Sequence, residues 1–202
     1  MTALTVRRYL APPIDRREVL RYAGMRVPSA EIDALLDEVL RETEELFSFR
    51  VAHRAFPISV CGDTLSLGFA EVTSCDLSRA LAGCDGVLVF AATVGGEVDR
   101  AIKKYALLSP AKALLLEALG SERVEALCDA FCADVKADYA EHGAAVRPRF
   151  SPGYGDLPLA LQKDIFRVLD CERRLGISLG ESLLMTPKKS VTALVGVKGE
   201  LL

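Results

Sequence analysis

The rhythm of hydrophobic and polar positions changes several times along this chain, and each rhythm implies an element. Leu4 to Leu10 predicts a short edge strand, broken by Ala11-Pro12-Pro13. Asp15 followed by Glu18 has the spacing of a capping box with Asp15 as N-cap, and predicts a short helix over 18–22 that stops at Gly24. Pro28-Ser29 opens a second helix, about 30–47, whose apolar positions Ile32, Leu35, Leu36, Val39, Leu40 and Leu46 follow helical spacing. Its many acids, from Glu31 to Glu45, read as a solvated face, with a docking face as the alternative. Residues 49–75 alternate around Gly62-Asp63 and predict two or three strands, and 78–82 a short helix. Val87 to Ala92 is apolar throughout and predicts a central strand, with a helix over 97–105 beyond Gly95-Gly96. Strand, glycine pair and helix suggest a nucleotide loop, but neither GxGxxG nor GxxxxGK[ST] is present, and a tight turn explains the glycines.

Ser109-Pro110 is a strong helix start, with Ser as N-cap and Pro at the first helical position. The helix is expected to run to about Tyr139, with a bend at Gly120-Ser121. Val124, Leu127, Cys128, Phe131, Val135 and Tyr139 form a large apolar stripe on it, and Ala126, Ala130, Ala133 and Ala137 a second stripe of small residues. Two apolar faces predict packing on both sides, making this helix the spine of the domain. After Gly143, the stretch Arg147-Pro-Arg-Phe-Ser-Pro-Gly-Tyr-Gly-Asp156 predicts an irregular loop whose backbone groups meet water or a ligand. A helix over 159–169 follows, then strands over 177–179, 182–185 and 190–197. With no repeat or linker, one α+β domain is the economical architecture.

Composition narrows the functional classes. The chain has 202 residues, 50% of them hydrophobic, with a formal charge of -3, which excludes intrinsic disorder and argues against nucleic-acid binding. No apolar run approaches the ~20 residues of a membrane span, and MTALTVRRYLAPP has no apolar core of a signal peptide, so the expected compartment is the cytoplasm. Cysteines 61, 75, 84, 128, 132 and 171 show no CxxC spacing and read as ordinary core thiols, with no metal site expected. His53 and His142 pair with no nucleophile, so triad chemistry has little support. The best candidate site is the 147–156 loop. Arg149 suits a carboxylate or phosphate, Tyr154 a flat ring, and Gly153 close approach of backbone to a ligand. The alternative is a rigid turn carrying a surface arginine.

At this loop the sequence resembles a known family. Arg149-Phe-Ser-Pro-Gly153-Tyr154 is similar to the RxxxGY signature of the activation (reactivation) domain of cobalamin-dependent methionine synthase. Glu181-Ser-Leu-Leu-Met-Thr-Pro187 with Ser190-Val191, Phe90-Ala-Ala-Thr93-Val-Gly-Gly with Asp99, and Leu127-Cys-Asp129-Ala-Phe131 resemble further segments of it, in family order over about 85–197; residues 1–84 match loosely. The resemblance implies a single α+β domain over 1–202, with a twisted, mainly antiparallel sheet, flanking helices and one long central helix. It implies binding of S-adenosylmethionine in a shallow groove, and reductive methylation of cob(II)alamin. It assigns Arg149 to the ligand carboxylate and Asp129, at the position of a family glutamate, to its ammonium. Ser151, Gly153 and Tyr154 would line the groove. Asp15 matches a second family acid, although its N-cap role explains it equally well.

Three departures shape the expectation. Gly155 stands where the family often has proline, an aromatic C-terminal tail is missing, and no cobalamin-ligating Asp-x-His-x-x-Gly or thiolate zinc site is present. The expected role is therefore the stand-alone activation subunit of a split enzyme: a methyltransferase component inactive without its partner. That partner is a corrinoid-binding methionine synthase subunit carrying the cobalamin, with a flavodoxin or ferredoxin as electron donor and a homodimer as one oligomeric option. The alternative is a binding module responsive to S-adenosylmethionine or corrinoid that transfers no methyl group. An ordinary class I methyltransferase lacks support, because the glycine-rich loop after its first strand is not found.

Overall fold

The computed structural model describes residues 2–25 and 29–202. In chain order its elements are β1 (Thr5–Tyr9), α1 (Arg16–Tyr22), α2 (Ala30–Thr43), β2 (Phe49–Pro57), β3 (Ser59–Cys61), β4 (Thr64–Ser66), β5 (Glu71–Thr73), α3 (Cys75–Ala80), β6 (Gly86–Thr93), α4 (Glu97–Leu108), α5 (Pro110–Glu141), β7 (Ala145–Phe150), α6 (Gln162–Leu169), α7 (Cys171–Leu175), β8 (Ser178–Leu179), β9 (Met185–Thr186) and β10 (Ser190–Lys198). Five strands form one antiparallel sheet in the order β1-β2-β6-β10-β7.

The alternation of a strand sends successive side chains to opposite faces, and here each face carries its own core. Leu88, Phe90 and Ala92 of β6 join a core beneath α1, α2, α4 and α5. Val87, Val89 and Ala91 join a second core beneath α3, α6, α7 and the small β3-β4-β5 sheet. All eight positions of β6 are buried, which is why its sequence is apolar without alternation.

Helix α5 has 32 residues, begins where Ser109 caps the Lys112 N–H, and is helical through Gly120 and Ser121. The glycine serves packing there. A Cβ on Gly120 would lie 3.0 Å from Cγ and Cε of Lys189, whose buried side chain crosses the helix to reach Glu117 (2.7 Å) and the Ser121 hydroxyl (2.9 Å). The large stripe from Val124 to Tyr139 is buried throughout, as its spacing predicts. The alanine stripe is different: Ala133 and Ala137 are exposed and Ala126 and Ala130 half-buried, so this half of the helix packs on one side only.

Several local expectations are corrected. Residues 145–150 form the edge strand β7. Pro148 is tolerated because an edge strand has a side that needs no N–H, and a register shift against Val195–Val197 absorbs it. Asp15 does cap α1, accepting from Arg17 and Glu18 N–H groups, but Glu18 turns to Arg21 and the Asp15 N–H goes to Glu122, so no reciprocal box forms. Ser29 caps α2; Pro28 lies outside the described residues. Residues 182–184 form a turn with Leu183 at φ 63°, not a strand. Cys128 and Cys171 are buried core thiols, but Cys61 and Cys75 are exposed on β3 and at the start of α3. Among the described residues no helix is long and apolar enough to cross a membrane.

Candidate functional site

The edge strand β7 runs beside the downstream half of α5, and this places Arg149 against the helix face that the alanines leave open. Glu125 and Asp129 stand one helical turn apart on that face. Arg149 Nη2 lies 2.7 Å from Glu125 Oε2 and 3.0 Å from Asp129 Oδ1. Burial pulls the Arg149 pKa down, but the facing carboxylates of Glu125 and Asp129 favour the charged guanidinium, and its pKa is raised overall. Its Nη1 atom is buried with no hydrogen-bond partner. A buried unmet donor is costly.

Beyond Phe150 the chain leaves the sheet, and its path is fixed by a clamp on α3. The Asp156 carboxylate accepts from the Cys75 N–H (2.7 Å), the Asp76 N–H (3.2 Å) and the Ser74 hydroxyl, while the Asp156 N–H donates to Asp76 Oδ2 at 3.2 Å. The Ser74 hydrogen bond, helped by those N–H groups, holds the Asp156 carboxyl below its usual range. Gly155, at φ +54°, lies so close to this clamp that a Cβ would sit 2.2 Å from Asp76 Oδ2. This accounts for glycine where the resembled family often has proline, whose φ is fixed near −65°. Within the loop Gly153 N–H donates to Leu157 O (2.9 Å) and Tyr154 N–H to Ser151 O (3.2 Å). The expectation of a backbone left for water or ligand is therefore not met; these groups pair with each other and with α3.

Arg149, Ser151 and Tyr154 line one cleft of about 190 Å³, together with Glu125, Phe150 and Val191. The Tyr154 side of it is open, with the residue 70% exposed. Glu125 also lines a wider adjoining groove of about 540 Å³, formed by Glu122, Asp129, Ala126, Ala130 and Ala133 of α5, Glu18 and Tyr22 of α1, and Pro12, Pro13 and Asp15 before it. The two recesses share Glu125, with Arg149 lining one and Asp129 the other. Five of the residues singled out from sequence line this surface: Arg149, Ser151, Tyr154, Asp129 and Asp15. Gly153 shapes the loop, at φ +89° against Leu159, without lining the cleft. Glu125 was not foreseen. In the sequence it is one helix acid among many, and what sets it apart is Arg149, 24 residues away.

The cluster carries two negative charges and one positive, next to an exposed aromatic ring and an acidic groove. It suits a ligand that presents a carboxylate, a cationic centre and a flat ring together.

Residues 78–200 match the family described as the vitamin B12 dependent methionine synthase, activation domain. No curated protein matches the chain. A solved structure similar in fold is titled as the crystal structure of the MetH reactivation domain bound to AdoHcy; it has a TM-score of 0.73 and 16% identity, over 96% of this chain and 78% of that one. At that identity the likeness is one of fold.

Proposed function

This chain belongs to the family of vitamin B12 dependent methionine synthase activation domains, and on that premise we propose that it is the S-adenosylmethionine-binding activation subunit of a split cobalamin-dependent methionine synthase. The observation that carries the reading is the Arg149 guanidinium, half-satisfied by Glu125 and Asp129, in a cleft it shares with Tyr154. S-adenosylmethionine carries an α-carboxylate, an ammonium, a cationic sulfonium and an adenine. The Arg149 fork receives the carboxylate. Glu125 and Asp129 then turn from Arg149 to the ammonium, and with Asp15 offset the positive sulfonium. Tyr154 offers a stacking face, Ser151 a hydroxyl at the cleft wall, and Gly153 the backbone path that holds Tyr154 there. That the related reactivation domain was crystallised with AdoHcy supports a ligand of this class.

The bound ligand supplies a methyl group already activated by the sulfonium. This chain then needs no general acid or base; its contribution is to orient that methyl and to exclude water when a partner covers the open side. We place the cobalamin on a separate corrinoid-binding methionine synthase subunit, the electron on a flavodoxin or ferredoxin, and the protein in the cytoplasm. The test combines this protein, a corrinoid-loaded methionine synthase subunit, a reductant and S-adenosylmethionine labelled in its methyl group. Label appearing on cobalamin only when this protein is present supports the proposal. Binding without transfer favours a sensing module, and no binding at all refutes both.

A further inference from the structure

Helix α5 buries two charged side chains almost completely: Glu122 and Arg123, at 5% and 2% side-chain exposure. Adjacent helix residues do not normally face each other. Here they pair twice, Arg123 Nε donating to Glu122 Oε2 at 2.6 Å and Nη2 to Oε1 at 2.7 Å. The rest of the fork crosses to the segment before α1. Nη1 donates to the Pro12 carbonyl, and Nη2 to the Pro13 carbonyl at 2.8 Å. Glu122 Oε1 accepts the Asp15 backbone N–H at 2.9 Å. Two successive prolines have only carbonyls to offer, and a buried fork of donors is what such a segment requires.

Little of this segment is buried: Pro12 is half-buried, and Pro13, Ile14 and Asp15 are exposed. Pro12 lines the acidic groove of about 540 Å³ on one side and a separate, mostly apolar recess of about 270 Å³ on the other. A buried ion pair usually adds little stability over apolar residues of the same size. What this pair supplies is position: it ties three backbone groups of one groove wall to the helix that carries Glu125 and Asp129, both within two turns of the pair along the same axis.

We infer that Glu122 and Arg123 are positioning residues for the ligand groove: they fix the Pro12–Asp15 wall and hold the Asp15 carboxylate in the groove shared with Glu125 and Asp129. The inference rests on reading that groove as the S-adenosylmethionine site. The test is a double-mutant cycle on S-adenosylmethionine affinity, measured by calorimetry on wild type, Asp15→Asn, Arg123→Lys and the double variant. Asparagine keeps the helix cap and removes the charge. Lysine keeps the charge, but a single ammonium cannot replace the planar fork. Arg123→Lys is expected to weaken binding about tenfold with Asp15 present and less than twofold in the Asp15→Asn background, the coupling expected of residues acting as one unit. An equal loss in both backgrounds, or none in either, overturns the inference. If Arg123→Lys does not fold, Glu122→Gln runs the same cycle by the same criterion. Absence of binding by wild type overturns the reading of the groove itself, a result distinct from an additive cycle in a protein that binds.

Discussion

The two halves of α5 are made of similar residues and do different things. Upstream of about Val124, buried positions follow one another closely: Ala113, Leu115, Leu116, Ala118, Leu119, Gly120, Glu122 and Arg123. Here α1, α2 and α4 cover what the sheet does not. Downstream, only Leu127, Cys128, Phe131, Val135 and Tyr139 are buried, one stripe against the sheet, while Asp129, Ala133, Lys136 and Ala137 are exposed. One continuous helix thus serves as core at one end and as the floor of a groove at the other. The difference lies in what stands beside each half. A charged side chain on the crowded half has to be paired internally, as Glu122 and Arg123 are. On the open half Glu125 and Asp129 pair with Arg149 at the edge of a groove that stays open to solvent.

The largest effect expected is on the buried side of the open half. Phe131 packs against Phe90 (centroids 4.8 Å apart) and His53 (5.2 Å). Phe131→Ala is expected to cost about 3–5 kcal/mol in chemical denaturation; a loss below about 1 kcal/mol would mean that the stripe is not core. His53 belongs to the same contact. Burial first, then the Arg7 charge, lower its pKa to about 4 from 6.5, against a smaller upward pull from Asp138. A base held neutral in the fold contributes fully above its unfolded pKa, and that stability is lost as pH falls from about 6.5 through about 4. The loss is about 2 kcal/mol once solvent screening at this partly exposed site is allowed for. In His53→Gln that part of the pH dependence should disappear, and a variant whose stability follows wild type from pH 7 to pH 4 would contradict the assignment.

Smaller effects separate the site from the core. Gly155→Ala places a Cβ against Asp76 at a positive φ, and is expected to cost about 1–2 kcal/mol. Because the strain falls on the loop bearing Tyr154, affinity for S-adenosylmethionine should fall as well. Ala133→Leu is the smallest change in stability, within about 0.5 kcal/mol, since the position is exposed. It should nevertheless weaken S-adenosylmethionine binding by narrowing the groove. A clear loss of stability there, with binding intact, would show that the open half is packed after all.

Much of this was legible in the sequence because burial leaves a period. The i, i+3/i+4 stripe from Val124 to Tyr139 gave the orientation of α5, and the unbroken apolar run of β6 gave its central place in the sheet. The α+β class followed from the succession of predicted helices and strands, and the family resemblance from four ordered segments; the fold and the family match support both. Other features leave no period. Small residues such as Ala126 and Ala133 suit either a close helix contact or an open groove floor, so the second packed face was an overreading. Pro148 reads as a loop because proline is excluded from inner strands, yet an edge strand accepts it. Glu125 looks like any solvated helix acid until β7 brings Arg149 to 2.7 Å from it, a juxtaposition across 24 residues that local spacing does not record.

The central claim is that Arg149, set against two acids on the open half of α5, takes the carboxylate of S-adenosylmethionine. Thermal melting of wild type and Arg149→Ala across a titration of S-adenosylmethionine tests it most directly. At about 100 times the dissociation constant, the ligand should stabilise wild type by about 2.7 kcal/mol, and the variant should show little or no shift at the same concentrations. A wild-type melting point that stays fixed into the millimolar range, or an equal shift in both proteins, would contradict the account.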